Sequence, residues 1–334
     1  MSQANGATHY SLSADGSLAY VPGGAVAVGR QLVWVDRQGK AEPLPLPARR
    51  YLHPRISPDG HTLAVESEGP NHDFWTYEQA RGVLTRMTTD GRSHWPLWTP
   101  DGKRLTFRSW RTGFMTMWWM PADRSVAEER LTTIGMQQSA ASWSPDGRVV
   151  AFTQVGPDTG GDLYVLDMDA GRKPRPFVQT RFNEGSPRFS LDGHYIAYSS
   201  NESGRNEIYV TSYPGPGPKT QASSDGGTDP VWKPGGGELY YRSGDKMMVV
   251  EVATQPSFRA ARPRALWEGR YSHGMNSSCG APGPSSSNYD VTPDGRRFLM
   301  IQEGDQDVPA TQIHVVLNWA EELKRLMAEK KKGT

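Results

Sequence analysis

The chain has one cysteine in 334 residues, Cys279, so no intrachain disulfide and no cysteine-based zinc site is open to it. It also lacks an excess of either charge. Lys and Arg number 37 against 36 Asp and Glu, which argues against a nucleic-acid partner held by a basic field. No apolar run approaches the roughly 18 residues of a membrane span. The opening stretch MSQANGATHY has no charged region leading into an apolar one. As written, the sequence predicts a soluble chain with no signal peptide, and one thiol leaves the compartment open.

What is abundant points to strands and turns. The 36 Gly and 26 Pro are spread along the chain, which suits many turns better than a disordered tail. Eleven Trp and 13 Tyr supply large apolar surfaces that favour strands. A turn recurs as SADG at Asp15, SPDG at Asp59, TPDG at Asp101, SPDG at Asp146, SLDG at Asp192, KPGG at Gly235 and TPDG at Asp294. The first five intervals are 44, 42, 45, 46 and 43 residues, the spacing of four-stranded propeller blades, and the last, of 59, is long and carries an insertion. Proline presets an early turn φ and glycine accepts a positive one.

Apolar residues repeat with the turn. Leu63, Leu105, Val150, Ile196, Leu239 and Phe298 stand four residues beyond the aspartate position, and Val65, Phe107, Phe152, Tyr198, Tyr241 and Met300 six beyond. Residues two apart share one face of a strand. A third strand follows in each unit, among them QLVWVD, DFWTYE and DLYVLD, and a weaker fourth appears as VLTRMTT, ERLTTIG and RPFVQT. Seven units predict an all-β fold, a seven-bladed β-propeller over 1–317. Six blades with an irregular closing unit is the alternative, because the final repeat shows three clear strands.

The last residues, 318–334, break the pattern. Asn318 and Glu321 have capping-box spacing, and Trp319, Leu323, Leu326 and Met327 form one apolar helical stripe before Lys330–Lys332. This predicts a C-terminal capping helix with a Lys-rich tail, and a partner-binding helix is the sharper alternative.

These residues resemble the TolB-type propeller, from about Thr8 to Met327. LAYVPGG, QLVWVDRQGK, FNEGSPRFSLDG, NESGRNEIYV and VVLNWAEELKRL are similar to the propeller segment found C-terminal to the kinase domain of some bacterial serine/threonine kinases. The kinase itself is missing: there is no Gly-rich phosphate loop, no HRD and no DFG. The Gly-x-Ser-x-Gly elbow of the peptidases that carry such propellers is missing too. The resemblance implies a binding or sensing propeller without an assigned ligand, and it allows a periplasmic or extracytoplasmic setting.

In a propeller the first strand of each blade borders the central channel. Six residues before each turn aspartate stand His9, His53, Trp95, Ala140, Ser186, Asp229 and Asn288. In a ring of seven, Asp229, Asn288, His9 and His53 would be neighbours, and His94, one residue before Trp95, is a further candidate. The leading function is non-catalytic: a recognition or scaffold module binding a peptide, a protein or a small polar ligand through His9, His53, Trp95, Asp229 and Asn288, with no cofactor. The rival is a metal-assisted hydrolase or lyase at the same mouth. There His9, His53 and Asp229 would hold zinc or manganese and Asn288 would orient substrate.

Other candidates carry less. Asp158 and Asp162 in GPDTGGD lack the ligand density of a calcium loop. Cys279 sits in a Gly/Ser/Pro-rich insertion with no activating neighbour in sequence. Trp118 and Trp119 point to opposite faces and read as core packing rather than as a stacking platform. Arg108 and Arg111 read as loop-surface charges.

Overall fold

The recurrent turn is built from one set of hydrogen bonds. Ser144 donates its hydroxyl to Asp146 Oδ1 at 2.6 Å, Arg148 N–H donates to the same oxygen at 3.1 Å, and Val149 N–H donates to Ser144 Oγ at 2.9 Å. The same Ser/Thr-to-Asp bond holds Ser57–Asp59, Thr99–Asp101, Ser190–Asp192 and Thr292–Asp294. The hydroxyl of Ser144 holds the Asp146 carboxyl below its ordinary range. Gly147 takes φ 72°, which the turn requires and a side chain would resist. Asp146 and its equivalents are therefore structural.

The computed structural model describes residues 10–13, 16–20, 29–68, 72–132, 136–156, 160–273, 287–303, 314–319 and 323. Each turn joins the two inner strands of an antiparallel sheet. Blade one comprises Arg50–Ile56, Thr62–Glu68, Asp73–Glu78 and Val83–Arg86; blade two, Ser93–Trp98, Arg104–Ser109, Thr116–Pro121 and Glu129–Arg130. Blade three runs from Gln137–Trp143 to Pro174–Val178, and blade four from Glu184–Phe189 to Thr220–Gln221. In blade five the third strand, Lys246–Ala253, pairs with both Arg259–Ala260 and Arg264–Glu268, which absorbs part of the long last interval.

The sequence counts seven turns, but the ring has six blades, as its alternative reading allowed. Blade six takes Asp290–Val291 and Arg297–Gln302 from the last turn and Gln31–Asp36 and Ala41–Pro43 from near the start. Six residue pairs join the two segments, from Arg297 opposite Asp36 to Gln302 opposite Gln31. The strand read as the third of a first blade thus completes the last one. The first turn's own strands, Tyr10–Leu12 and Leu18–Tyr20, pair with His314–Val316 in a separate three-stranded sheet. That sheet belongs to a compact unit of Met1–Val28 with Asp305–Thr334, and the ring belongs to Gly29–Gly304.

Period-two alternation makes the interfaces. Val33 and Val35 pack against Tyr240 and Met247 of blade five, whereas Leu32 and Trp34 pack against Leu63 and Val65 of blade one. Six apolar clusters result, one between each pair of adjacent blades. Trp118 and Trp119 obey the same rule, joining the clusters on opposite sides of blade two.

No complete capping helix is seen among the described residues: Trp319 and Leu323 are helical, and the rest of the expected helix lies outside them. Asn318 takes φ 53°, not the extended backbone of an N-cap, and Trp319 N–H donates to Gly16 O at 2.8 Å.

The closing blade is tied to blade five by a charged contact. The Arg37 guanidinium donates both Nη1 and Nη2 to Glu238, each at 2.8 Å, and Lys233 lies 3.2 Å from the same carboxylate. Chiefly through Arg37, the Glu238 carboxyl is held down at about 2. A depressed carboxylate contributes stability above its ordinary value of 4.5, and that stability is lost as pH falls through about 2. Thermal melts should show the wild type losing stability between those limits, with a flatter dependence for Glu238→Gln. Equal slopes would contradict the assignment.

Candidate functional site

Four inner strands carry one irregularity at one register. His53, Trp95, Ser186 and Asp229 take φ of 50°, 55°, 52° and 58°. Each precedes a proline, and at each the ladder to the second strand slips. Proline keeps the residue before it out of the right-handed helical region, so the bulge resolves into the left-handed one. Such backbone costs of order 1–3 kcal/mol per residue and persists where its surroundings fix it. These are the positions the repeat register singles out. Ala140 lies beside a similar slip but has no proline after it.

All four residues are buried, as is Asn288. With six blades, blade six adjoins blade one, and His53 N–H donates to Asn288 Oδ1 at 2.7 Å. Asn288 Nδ2 donates to Ser272 Oγ at 3.0 Å, so both ends of its amide are engaged. Tyr289 donates its hydroxyl to the Asp229 carbonyl at 2.8 Å. Burial pushes the Asp229 carboxyl up, against the Thr228 hydroxyl and the charges of Arg242, His273 and Arg55.

The centre of the site is a residue outside that register, Glu66. Its Oε2 faces His53 Nδ1 at 3.1 Å and accepts Trp95 N–H at 3.2 Å. Its Oε1 faces His94 Nδ1 at 2.9 Å and His72 Nδ1 at 3.3 Å. Burial alone would raise the Glu66 carboxyl, but the charge of His94 and the bonds from His53, His72 and His94 hold it well below the usual range. Burial lowers His53 to about 4, so it is neutral at neutral pH, while the bond to Glu66 raises His72. His94, read as a possible addition, does reach inward.

The group whose ligand atoms lie within 4.8 Å of one another is, among the described residues, Glu66, His72 and His94. Of the metal set expected from sequence, His53 joins this cluster through Glu66, Asp229 is not a member, and His9 lies outside the described residues. Cys279 and Asp158 lie outside them too, and Asp162 is buried and accepts Gln179 Nε2 at 3.3 Å.

A signal for Glu66 was present in the second strands. Seven residues after the turn positions 59, 101 and 235 stand Glu66, Arg108 and Arg242, each a charged residue that follows an apolar one and precedes a serine. All three are buried. Arg108 corrects its reading as a loop-surface charge. Its guanidinium carbon lies 3.2 Å from the centre of the Trp95 ring, and Nη1 donates to Ser139 Oγ at 2.9 Å. Arg111 is half-buried and paired with Asp90 and Glu128 at 3.0 and 3.1 Å.

A cleft of about 460 Å³ lies on the turn side, lined by Trp119, Trp143, Arg104, Asp101 and Asp146. Its charged walls are committed. The two aspartates hold their own turns, and Arg104 lies 4.0 Å over the Trp119 ring.

No family model matches the chain. Over 158 residues it is 32% identical to an uncharacterized protein from Agrobacterium fabrum, and over 108 residues 31% identical to the uncharacterized peptidase YuxL of Bacillus subtilis. These matches take in 42% and 30% of this chain, but only 52% and 16% of the relatives' own lengths. Its structural neighbours are TolB-type β-propellers. A TolB-type protein from Agrobacterium tumefaciens superimposes with a TM-score of 0.65 at 17% identity, covering 82% of this chain and 98% of that one. TolB from Acinetobacter baumannii gives 0.54 at 18% identity, covering 85% and 66%. An oligogalacturonate lyase in complex with manganese gives 0.54 at 11% identity, covering 93% and 81%. At these identities the likeness is one of fold. Among the described residues no helix is long and apolar enough to cross a membrane.

Removing the Glu66 carboxylate would strand several buried donors at once. Glu66→Ala should lower the unfolding free energy by about 3–5 kcal/mol, the range for removing one partner of a buried charged pair. Urea denaturation measures this, and a loss below about 1 kcal/mol would show the cluster to be incidental.

Proposed function

We propose that the chain is a non-catalytic recognition propeller that binds a peptide, a protein loop or a small polar ligand at the mouth where its inner strands begin. The observation that carries this reading is the repeated left-handed bulge. One strained backbone position carries a different, buried side chain on each strand, His53, Trp95, Ser186 and Asp229. Bulges re-aim side chains beside functional sites, and here the same strain recurs four times in one register. The TolB-type neighbours support a binding role at the level of fold. The resemblance of NESGRNEIYV and VVLNWAEELKRL to kinase-associated propellers supports a sensing module of that kind.

The alternative is a metal-assisted hydrolase or lyase at the same mouth, as the lyase neighbour illustrates for this fold. It needs Asn288 free to orient substrate. Asn288 instead bonds His53 N–H and Ser272, which favours recognition.

Panning a displayed random-peptide library on the protein tests the proposal. Enriched peptides should bind wild type and lose about tenfold or more in affinity, roughly 1.4 kcal/mol, with Asp229→Asn or Trp95→Phe. Enriched peptides that bind both variants as tightly as wild type, or no enrichment at all, would overturn it.

A further inference from the structure

We infer that Glu66, His72 and His94 form a binding site for one zinc-type divalent ion at the junction of blades one and two. The inference does not rest on the recognition reading: its ligands are Glu66, His72 and His94, and His53 and Trp95 enter only as neighbours of Glu66. Two imidazoles and one carboxylate form a donor set that suits zinc.

One ligand atom of each residue lies within 4.8 Å of the other two. Bonds of about 2.0–2.2 Å to a tetrahedral ion place neighbouring ligand atoms roughly 3.3–3.5 Å apart. Glu66 Oε1 lies 2.9 Å from His94 Nδ1 and 3.3 Å from His72 Nδ1, and the two rings lie 4.7 Å apart at their centres. Three elements converge to produce this. Glu66 lies in the strand Thr62–Glu68, His72 precedes Asp73–Glu78, and His94 lies in Ser93–Trp98 of the next blade.

The surroundings are those a ligating set requires. The second oxygen of Glu66 is held by Trp95 N–H and faces His53 Nδ1, which fixes the carboxylate plane. His72 Nε2 lies 4.0 Å from Glu68 Oε1, a carboxylate placed to orient that imidazole once its Nδ1 binds an ion. Glu68 is in turn paired with Arg50 at 2.9 Å. His53, 3% exposed, turns Nδ1 toward this carboxylate, and among the described residues its Nε2 finds no hydrogen-bond partner. The His72 side chain is 19% exposed while those of Glu66 and His94 are nearly closed off, so an ion would reach the site past His72.

The ion-free arrangement has a defined cost. With both imidazoles bonded to Glu66 Oε1, each must carry its proton on Nδ1. An ion replaces those protons and takes both nitrogen lone pairs, so binding releases or relocates protons and depends on pH.

The test is titration of chelator-stripped full-length protein with Co²⁺ and Zn²⁺, followed by calorimetry and visible absorption. One Co²⁺ per chain should bind with the d–d bands of a tetrahedral site, and Zn²⁺ should displace it. His72→Ala, at the exposed edge, and His94→Ala should each weaken binding a hundredfold or more. His53→Ala should weaken it about 10–100-fold through the orientation of Glu66. Asp229→Asn should leave it unchanged, and circular dichroism establishes that each variant is folded. Folded wild type that takes up no stoichiometric ion overturns the site, as does uptake unaltered by His72→Ala. Neither result bears on peptide binding at Trp95 and Asp229, which the panning experiment reads separately.

Discussion

The ring depends on one non-local pairing, that of Arg297–Gln302 with Gln31–Asp36. Every other blade is assembled from consecutive strands and could form from its own stretch of chain. This blade requires segments more than 250 residues apart to meet in register. Until they do, two apolar faces stay open: Val33 and Val35 toward blade five, Leu32 and Trp34 toward blade one. A period-two strand buried on both sides suits this role, since each face completes a different interface.

Closure also sets the neighbours of the bulge register. It sets Asn288 beside His53, and it brings Tyr289 to the carbonyl of Asp229 and Arg55 to the carbonyl of Ser287. The bulges on blades one, two, four and five are thereby held in one ring with fixed neighbours. Between blades one and two the same apposition gathers three imidazoles on a single buried carboxylate. The inner strands thus carry two kinds of polar chemistry: strained, individually different side chains at one register, and one dense histidine–glutamate cluster between blades one and two.

The hairpin unit was fully legible in the sequence, because its chemistry is local. A Ser or Thr two residues before Asp, a Pro between them and a Gly after them determine the turn wherever they occur, and the alternation that follows determines the faces. The register of His53, Trp95, Asp229 and Asn288 followed from the same count. The number of blades did not, since nothing within QLVWVD says which strand it will pair with. Glu66 and His72 escaped for a related reason. One lies on a second strand and the other precedes a third, and only the packing of blade two against blade one brings His94 to them. The charged positions seven residues after the turns were the available signal, and they stand out once the strands are known to be buried on both faces. His9, one of the three residues of the expected metal set, lies outside the described residues.

The closing pairing can be measured directly. Opposed residues of an antiparallel pair have Cα atoms about 4.5–5.5 Å apart, within reach of a disulfide. In a Cys279→Ser background, Gln31→Cys with Gln302→Cys places one thiol on each strand at the end of the shared ladder, where Gln31 and Gln302 are partners. A ring of six closed in this register predicts that folded protein forms an intramolecular disulfide under mild oxidation and melts at a higher temperature than its reduced form. Thiols that stay free in folded, oxidised protein would contradict it.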